Sequence, residues 1–77
     1  MSPVLKARPH RVTSFRGTPI VWLKIEPTDE AFLLLGLDEA GRSVSDTWHL
    51  TLSEAQRQAH LQFGVAPTDW LEVAPGA

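Results

Sequence analysis

Cysteine is absent from the 77 residues, which excludes thiolate zinc sites, disulfide staples and thiol nucleophiles and removes the usual sign of an oxidising compartment. Long apolar runs are missing too. The longest, AFLLLGL (31–37), falls far short of a bilayer, and the N-terminus MSPVLKARPH has no apolar stretch between its basic residues and a cleavage site. A soluble, cytoplasmic chain without membrane contact is the expectation. Catalytic signatures are lacking in the same way: there is no glycine-rich phosphate loop, no acids are spaced for paired acid and base work, and Ser43, Ser45 and Ser53 sit in no nucleophile elbow.

Acids are missing from the front of the chain. Lys6, Arg8, Arg11, Arg16 and Lys24 all precede the first acid, Glu26, and only Arg42 and Arg57 follow it, so the formal charge of -2 hides a basic first third and an acidic remainder. Either the two regions neutralise each other across a sheet, or the basic segment meets phosphate or an acidic partner.

What is present supports one domain, of a size at which folding buries only about 60% of the surface that the unfolded chain exposes. Residues 1–9 read as an N-terminal arm with room for a short strand at its end, residues 10–73 as a single α+β domain, and residues 74–77 as a loose tail. HRVTSFR (10–16) alternates poorly and reads as an edge strand, punctuated by Gly17 and Pro19. PIVWLKIE (19–26) is rich in β-branched and aromatic residues and stops at Pro27, which favours a strand. AFLLLGL leans helical by its leucines, but it is short, bounded by turn signals and interrupted by Gly36, so it reads as a strand returning through Asp38, Glu39, Ala40 and Gly41 toward Trp48.

Residues 52–63 predict a helix with both ends specified. Thr51 and Glu54 form a T-x-x-E capping box, Leu52, Ala55, Ala59 and Phe63 make an apolar stripe, and Gly64 supplies the left-handed stop. LEV (71–73) offers one more short strand. The expected fold is therefore α+β: a three- to four-stranded antiparallel meander followed by one helix packed on one face, in the order β-β-β-(β)-α.

One sheet face is short of cover. Ile20, Trp22 and Lys24 share one parity, Val21, Leu23 and Ile25 the other, and AFLLLGL is apolar on both, whereas a dozen-residue helix about 18 Å long covers a single face. The second face falls to the arm, to residues 65–73, or to a partner, whether a second copy or another protein. Trp22 and Ile20 on that face, with Arg57 and Leu61 on the polar side of the helix, are the candidate contacts. Trp48 and Trp70 are expected in the core, with Leu50 sharing the parity of Trp48.

His10, His49 and His60 show none of the spacings of a metal-binding pair on a helix or strand. Asp46 and His49, three apart in a predicted strand, point to opposite faces unless a bulge intervenes. No metal, cofactor or catalytic residue is expected. The chain reads as a non-catalytic domain that self-associates or binds a protein, and the alternative class is a nucleic-acid-associated domain using Lys6, Arg8, Arg11 and Arg16.

SDTWHLTLSEAQRQAHLQFGVAPTDW (45–70) resembles a pattern in small bacterial proteins in which D-T-W-H ends a strand and A-x-x-x-A, F-G-V and a later W shape the helix and its exit. The resemblance implies a β-rich sheet followed by one helix and carries no activity. The T-L-S-E-A helix start is also similar to that of HicB-type antitoxin domains, which pack a helix on a small antiparallel sheet and bind a toxin protein; the likeness is one of topology more than of motif.

Overall fold

The structure, a computed structural model, describes residues 3–73. Its elements are β1 (Val4–Ala7), β2 (Ser14–Phe15), β3 (Thr18–Pro19), β4 (Trp22–Pro27), β5 (Phe32–Leu37), β6 (Ser43–His49), α1 (Leu52–Phe63), a 3-10 turn (Pro67–Asp69) and β7 (Leu71–Val73). Five strands form one antiparallel sheet in the order β6-β5-β4-β1-β7, and β2 and β3 make a separate hairpin. The fold is α+β with one helix on the sheet. The sheet has more strands than the three or four expected, because both chain ends contribute: the short strand of the N-terminal arm, β1, lies between β4 and β7, and β7 forms the edge beyond it. Residues 74–77, read as a tail, lie outside the described residues.

The helix forms where its signals are. Thr51 is extended at φ -131° and its hydroxyl accepts the Glu54 N–H at 3.1 Å, while Gly64 at φ 74° takes the left-handed conformation and donates its N–H to the His60 carbonyl at 3.0 Å. Ala55 and Ala59 are fully buried and Phe63 nearly so. Small side chains at two successive turns bring the helix axis close to the sheet, where β1 supplies Leu5 and Ala7, β4 supplies Leu23 and Ile25, and β5 supplies Leu34. Register makes this set contiguous: Leu5 lies opposite Ile25, Ala7 opposite Leu23, and Ile25 opposite Leu34. Fully burying Leu23 or Ile25 stabilises the domain by about 1.5–3 kcal/mol each, so this small core depends on few residues.

Three sequence expectations are corrected by the geometry. HRVTSFR is not an edge strand: only Ser14 and Phe15 pair, with Thr18 and Pro19, around a turn whose central residues Arg16 and Gly17 both have positive φ, 52° and 83°. That turn twists with the strands and makes a short local hairpin instead of an edge. Ile20 is not on the Trp22 face. The regular strand begins at Trp22, and the Ile20 N–H is drawn to the Thr13 carbonyl at 2.9 Å, so parity does not carry back from Trp22 and Ile20 enters the core at 5% exposure.

Trp48 and Leu50 are not in the core either. Trp48 stands opposite Leu33 on the side away from α1 and is 57% exposed, and Leu50 lies beyond the strand end in the bend before the helix. Trp70 is half-buried and packs against the core cluster, as expected.

The segment after β1 closes the far end of α1. The His10 N–H donates to the Phe63 carbonyl and the Arg11 guanidinium to the Leu61 carbonyl, both at 2.9 Å. These are carbonyls that a helix end leaves without partners, and a cation there also meets the negative end of the helix dipole.

Two outcomes are expected. Gly36→Ala places a Cβ 2.5 Å from the Ser45 hydroxyl and 2.9 Å from Cδ1 of Ile20; repacking both should lower stability by about 1–3 kcal/mol, read as a lower urea midpoint at unchanged slope. Arg11→Ala should cost about 0.5–1 kcal/mol and speed amide exchange in the last turn of α1; unchanged exchange there would contradict the capping role.

Candidate interaction face

The face of the sheet turned away from α1 is set by the alternate residues of its strands. The leucine column of β5, Leu33, Leu35 and Leu37, lies opposite Glu26, Lys24 and Trp22 of β4 in that order. On its other side Leu33 meets Trp48 and Leu35 meets Asp46 of β6. Lys6 of β1 lies opposite Lys24 and also opposite Leu71 of β7, while Val4 lies opposite Val73. Leu35 and Leu37 are buried and Trp22, Leu33, Val4 and Val73 half-buried, whereas Trp48 and Leu71, the latter 66% exposed, stand out. Among the described residues no helix lies on this face.

The charges on it are arranged unusually. Lys6 and Lys24 are cross-strand partners, and like charges directly opposite destabilise a sheet. Their ammonium groups go separate ways: Lys24 contacts the Glu26 carboxylate at 3.3 Å, and Lys6 lies 4.4 Å from the centroid of the Trp22 ring. The Arg8 guanidinium lies on the same ring at 4.2 Å. Two cations on one indole each gain on the order of 0.5–1 kcal/mol, which offsets the repulsion and holds the basic groups in place.

The candidate residues read from the sequence disperse. Trp22 lies on this face and Ile20 in the core, while Arg57 and Leu61 are exposed on α1, which covers the other side of the sheet. Of the four basic residues, Lys6 and Arg8 join Trp22, Arg11 is engaged at the helix end, and the Arg16 guanidinium lies 5.5 Å from the Phe15 ring at the hairpin tip. Trp48, Lys24, Leu33 and Leu71 complete the face and were not singled out by the sequence. Their signal was the alternation of β5 and β6 read together: Asp46 and Trp48 share a parity, and a leucine run apolar on both sides has to place one set of leucines beneath them.

Of the polar residues that suggested chemistry, the three histidines have local partners. Asp46 lies opposite Leu35 on the open face, and His49 lies opposite Phe32 on the helix side with its Nε2 2.8 Å from the Thr47 hydroxyl, so the strand holds the two apart. His60 Nδ1 is 3.2 Å from the Val65 carbonyl. His10 Nε2 is 2.9 Å from the Asp69 carboxylate, which also accepts the Ala66 N–H at 2.8 Å and so ties the segment after β1 to the 3-10 turn. Among the described residues no three His, Asp or Glu side chains converge as a metal site would require, and no helix is long and apolar enough to cross a membrane. Comparison with protein-family models, with curated proteins and with solved structures finds no match to this chain.

Proposed function

We propose that the chain is a non-catalytic interaction domain that binds a protein, another copy or a different partner, through the sheet face opposite α1. The observation that carries this reading is the placement of Trp48, beside Leu33 at one edge of the sheet, and of Leu71, beside Lys6 at the other, both exposed on the side that α1 leaves open. Large aromatic side chains on an exposed surface are costly to solvate and are the residue type that most often anchors protein interfaces, together with arginine. Three same-parity residues on β4 and on β5 and two on each of β6, β1 and β7, at about 4.8 Å between strands and about 6.8 Å along them, give a footprint of about 400 Å², the scale of a small, transient interface when both partners are counted.

Nucleic-acid association is the second reading, favoured by Lys6 and Arg8 on the Trp22 ring with Lys24 opposite Lys6. It has less support. The Trp22 ring that would stack on a base already carries two cations, and Asp46 and Glu26 present carboxylates on the same face. The resemblance over residues 45–70 brings no activity, so the reading rests on this face alone.

The test compares immobilised wild type, Trp48→Glu and Leu61→Ala, each shown to be folded by circular dichroism, for protein retained from cell extract, together with sedimentation of the free domain. Retention or self-association by wild type and Leu61→Ala that is lost in Trp48→Glu is the expected result. If wild type retains nothing and sediments as a monomer at high concentration, or if Leu61→Ala alone abolishes binding, the open face is not the interface.

A further inference from the structure

We infer that the occupant of the open face is an acidic, aliphatic segment of a different protein; the inference rests on the interaction reading above and adds the partner's chemistry. Lys6 and Arg8 lie together on the Trp22 ring, whereas of the neighbouring acids Glu26 is paired with Lys24, Asp69 is engaged by His10 and the Ala66 amide, and Asp46 lies across the sheet on β6, so positive charge is concentrated beside Trp22. Two copies stacked face to face would offer each Lys6–Arg8 pair only Asp46 and a Glu26 already paired with Lys24. A partner segment carrying several carboxylates would offer more.

The local arrangement points the same way. A lysine placed directly opposite another lysine is a poor choice for sheet stability, and a carboxylate at either position would pair across the strands. Choices that break a local rule are where function is expected, even where neighbouring contacts, as at Lys6 and Lys24, offset part of the cost. Here Lys24 has a single carboxylate neighbour, Glu26, and Lys6 and Arg8 rest on the Trp22 ring, which fixes their side chains without neutralising them. Carboxylates arriving from a partner would find Lys6 and Arg8 already positioned. On β5 and β6 lie the half-buried Leu33 and the exposed Trp48, suited to aliphatic side chains. The segment thus reads as acid and aliphatic residues side by side, its carboxylates over β1 and β4 and its apolar groups over β5 and β6.

Random dodecapeptides displayed on phage and selected on the intact domain test this. Selected peptides should be enriched in Asp and Glu beside Leu, Ile, Val or Phe. A synthetic peptide of that consensus should shift the amide resonances of Lys6, Trp22, Leu33 and Trp48, and its affinity should fall at least about tenfold from low to high salt. Lys6→Glu should weaken it by about tenfold or more while leaving the melting temperature within about 2–4 °C of wild type, because the carboxylate gained opposite Lys24 is offset by the lost contact with Trp22; Lys6→Gln should weaken it less. A variant of unchanged stability that no longer binds separates a role in recognition from a role in folding. Uncharged apolar peptides that bind the same residues with no dependence on Lys6 would overturn the acidic partner and leave the interaction reading standing. Peptides of any kind that leave Trp48 and Leu33 unperturbed would remove both. Tighter binding of a single-stranded oligonucleotide, titrated in parallel, would replace the protein partner with nucleic acid.

Discussion

A single helix has to cover a sheet wider than itself. Five strands at about 4.8 Å spacing span about 19 Å between the axes of the edge strands, against about 10–12 Å for a helix with its side chains. Because α1 links β6 at one edge to β7 at the other, it has to cross one face, and the whole connection lies on that side. The inward residues follow from this. Ala55 and Ala59 let the helix approach, Leu23 and Ile25 fill the space beneath it, and Ile20 and Val65 close the flanks the helix does not reach. The opposite face receives none of this cover, so its character is set by the alternate residues of the same strands.

The N-terminal segment shows how the constraint is satisfied at the ends. Having placed β1 inside the sheet, the chain emerges beside the last turn of α1, where the His10 amide and the Arg11 side chain take up helix carbonyls. His10 then contacts Asp69, joining the first third of the chain to the turn that leads into β7. Part of the early excess of basic residues thus has a structural task. Arg11 answers the negative end of a helix dipole, and Arg16 lies against Phe15 at the hairpin tip. Lys6, Arg8 and Lys24 gather on the open face instead.

How much of this was legible depended on whether a feature was local. The helix and both its ends were written in Thr51, the alanine spacing and Gly64, and they formed where the sequence placed them, although of the Thr51–Glu54 capping box only the bond from the Glu54 N–H to the Thr51 hydroxyl is present. The β4–β5 pairing was legible from the β-branched and leucine-rich runs on either side of a turn. The position of β1 was not, because its partners β4 and β7 lie far along the chain and four residues of moderate hydrophobicity carry no sign of which strands will flank them. Ile20 and Trp48 failed for related reasons. A parity argument holds only while the strand is regular: the bond from Ile20 to Thr13 ends that regularity just before Trp22, and the side that Trp48 faces was fixed by pairing with Leu33 and not by its own size. The candidate face was half legible. The need for a second cover followed from counting helices and apolar parities, but the cluster of cations around Trp22 depended on the pairing of β1 with β4.

That cluster also shows what a small domain can sacrifice. With few buried side chains the total stability is modest, and a like-charge pair opposite in register takes away a part of it. Stacking on Trp22 recovers some of the loss and keeps the half-buried Lys6 and the exposed Arg8 over the ring. Side chains held this way surrender less rotamer freedom when a partner arrives, since part of that entropy is already lost in the free domain. The same indole that would otherwise be a sticky apolar surface is partly shielded by its two cations, which lowers the tendency to associate indiscriminately. The cations and the indole of this face therefore depend on one another: without the indole the Lys6 and Arg8 side chains lose the surface that holds them, and without the cations the ring is bared.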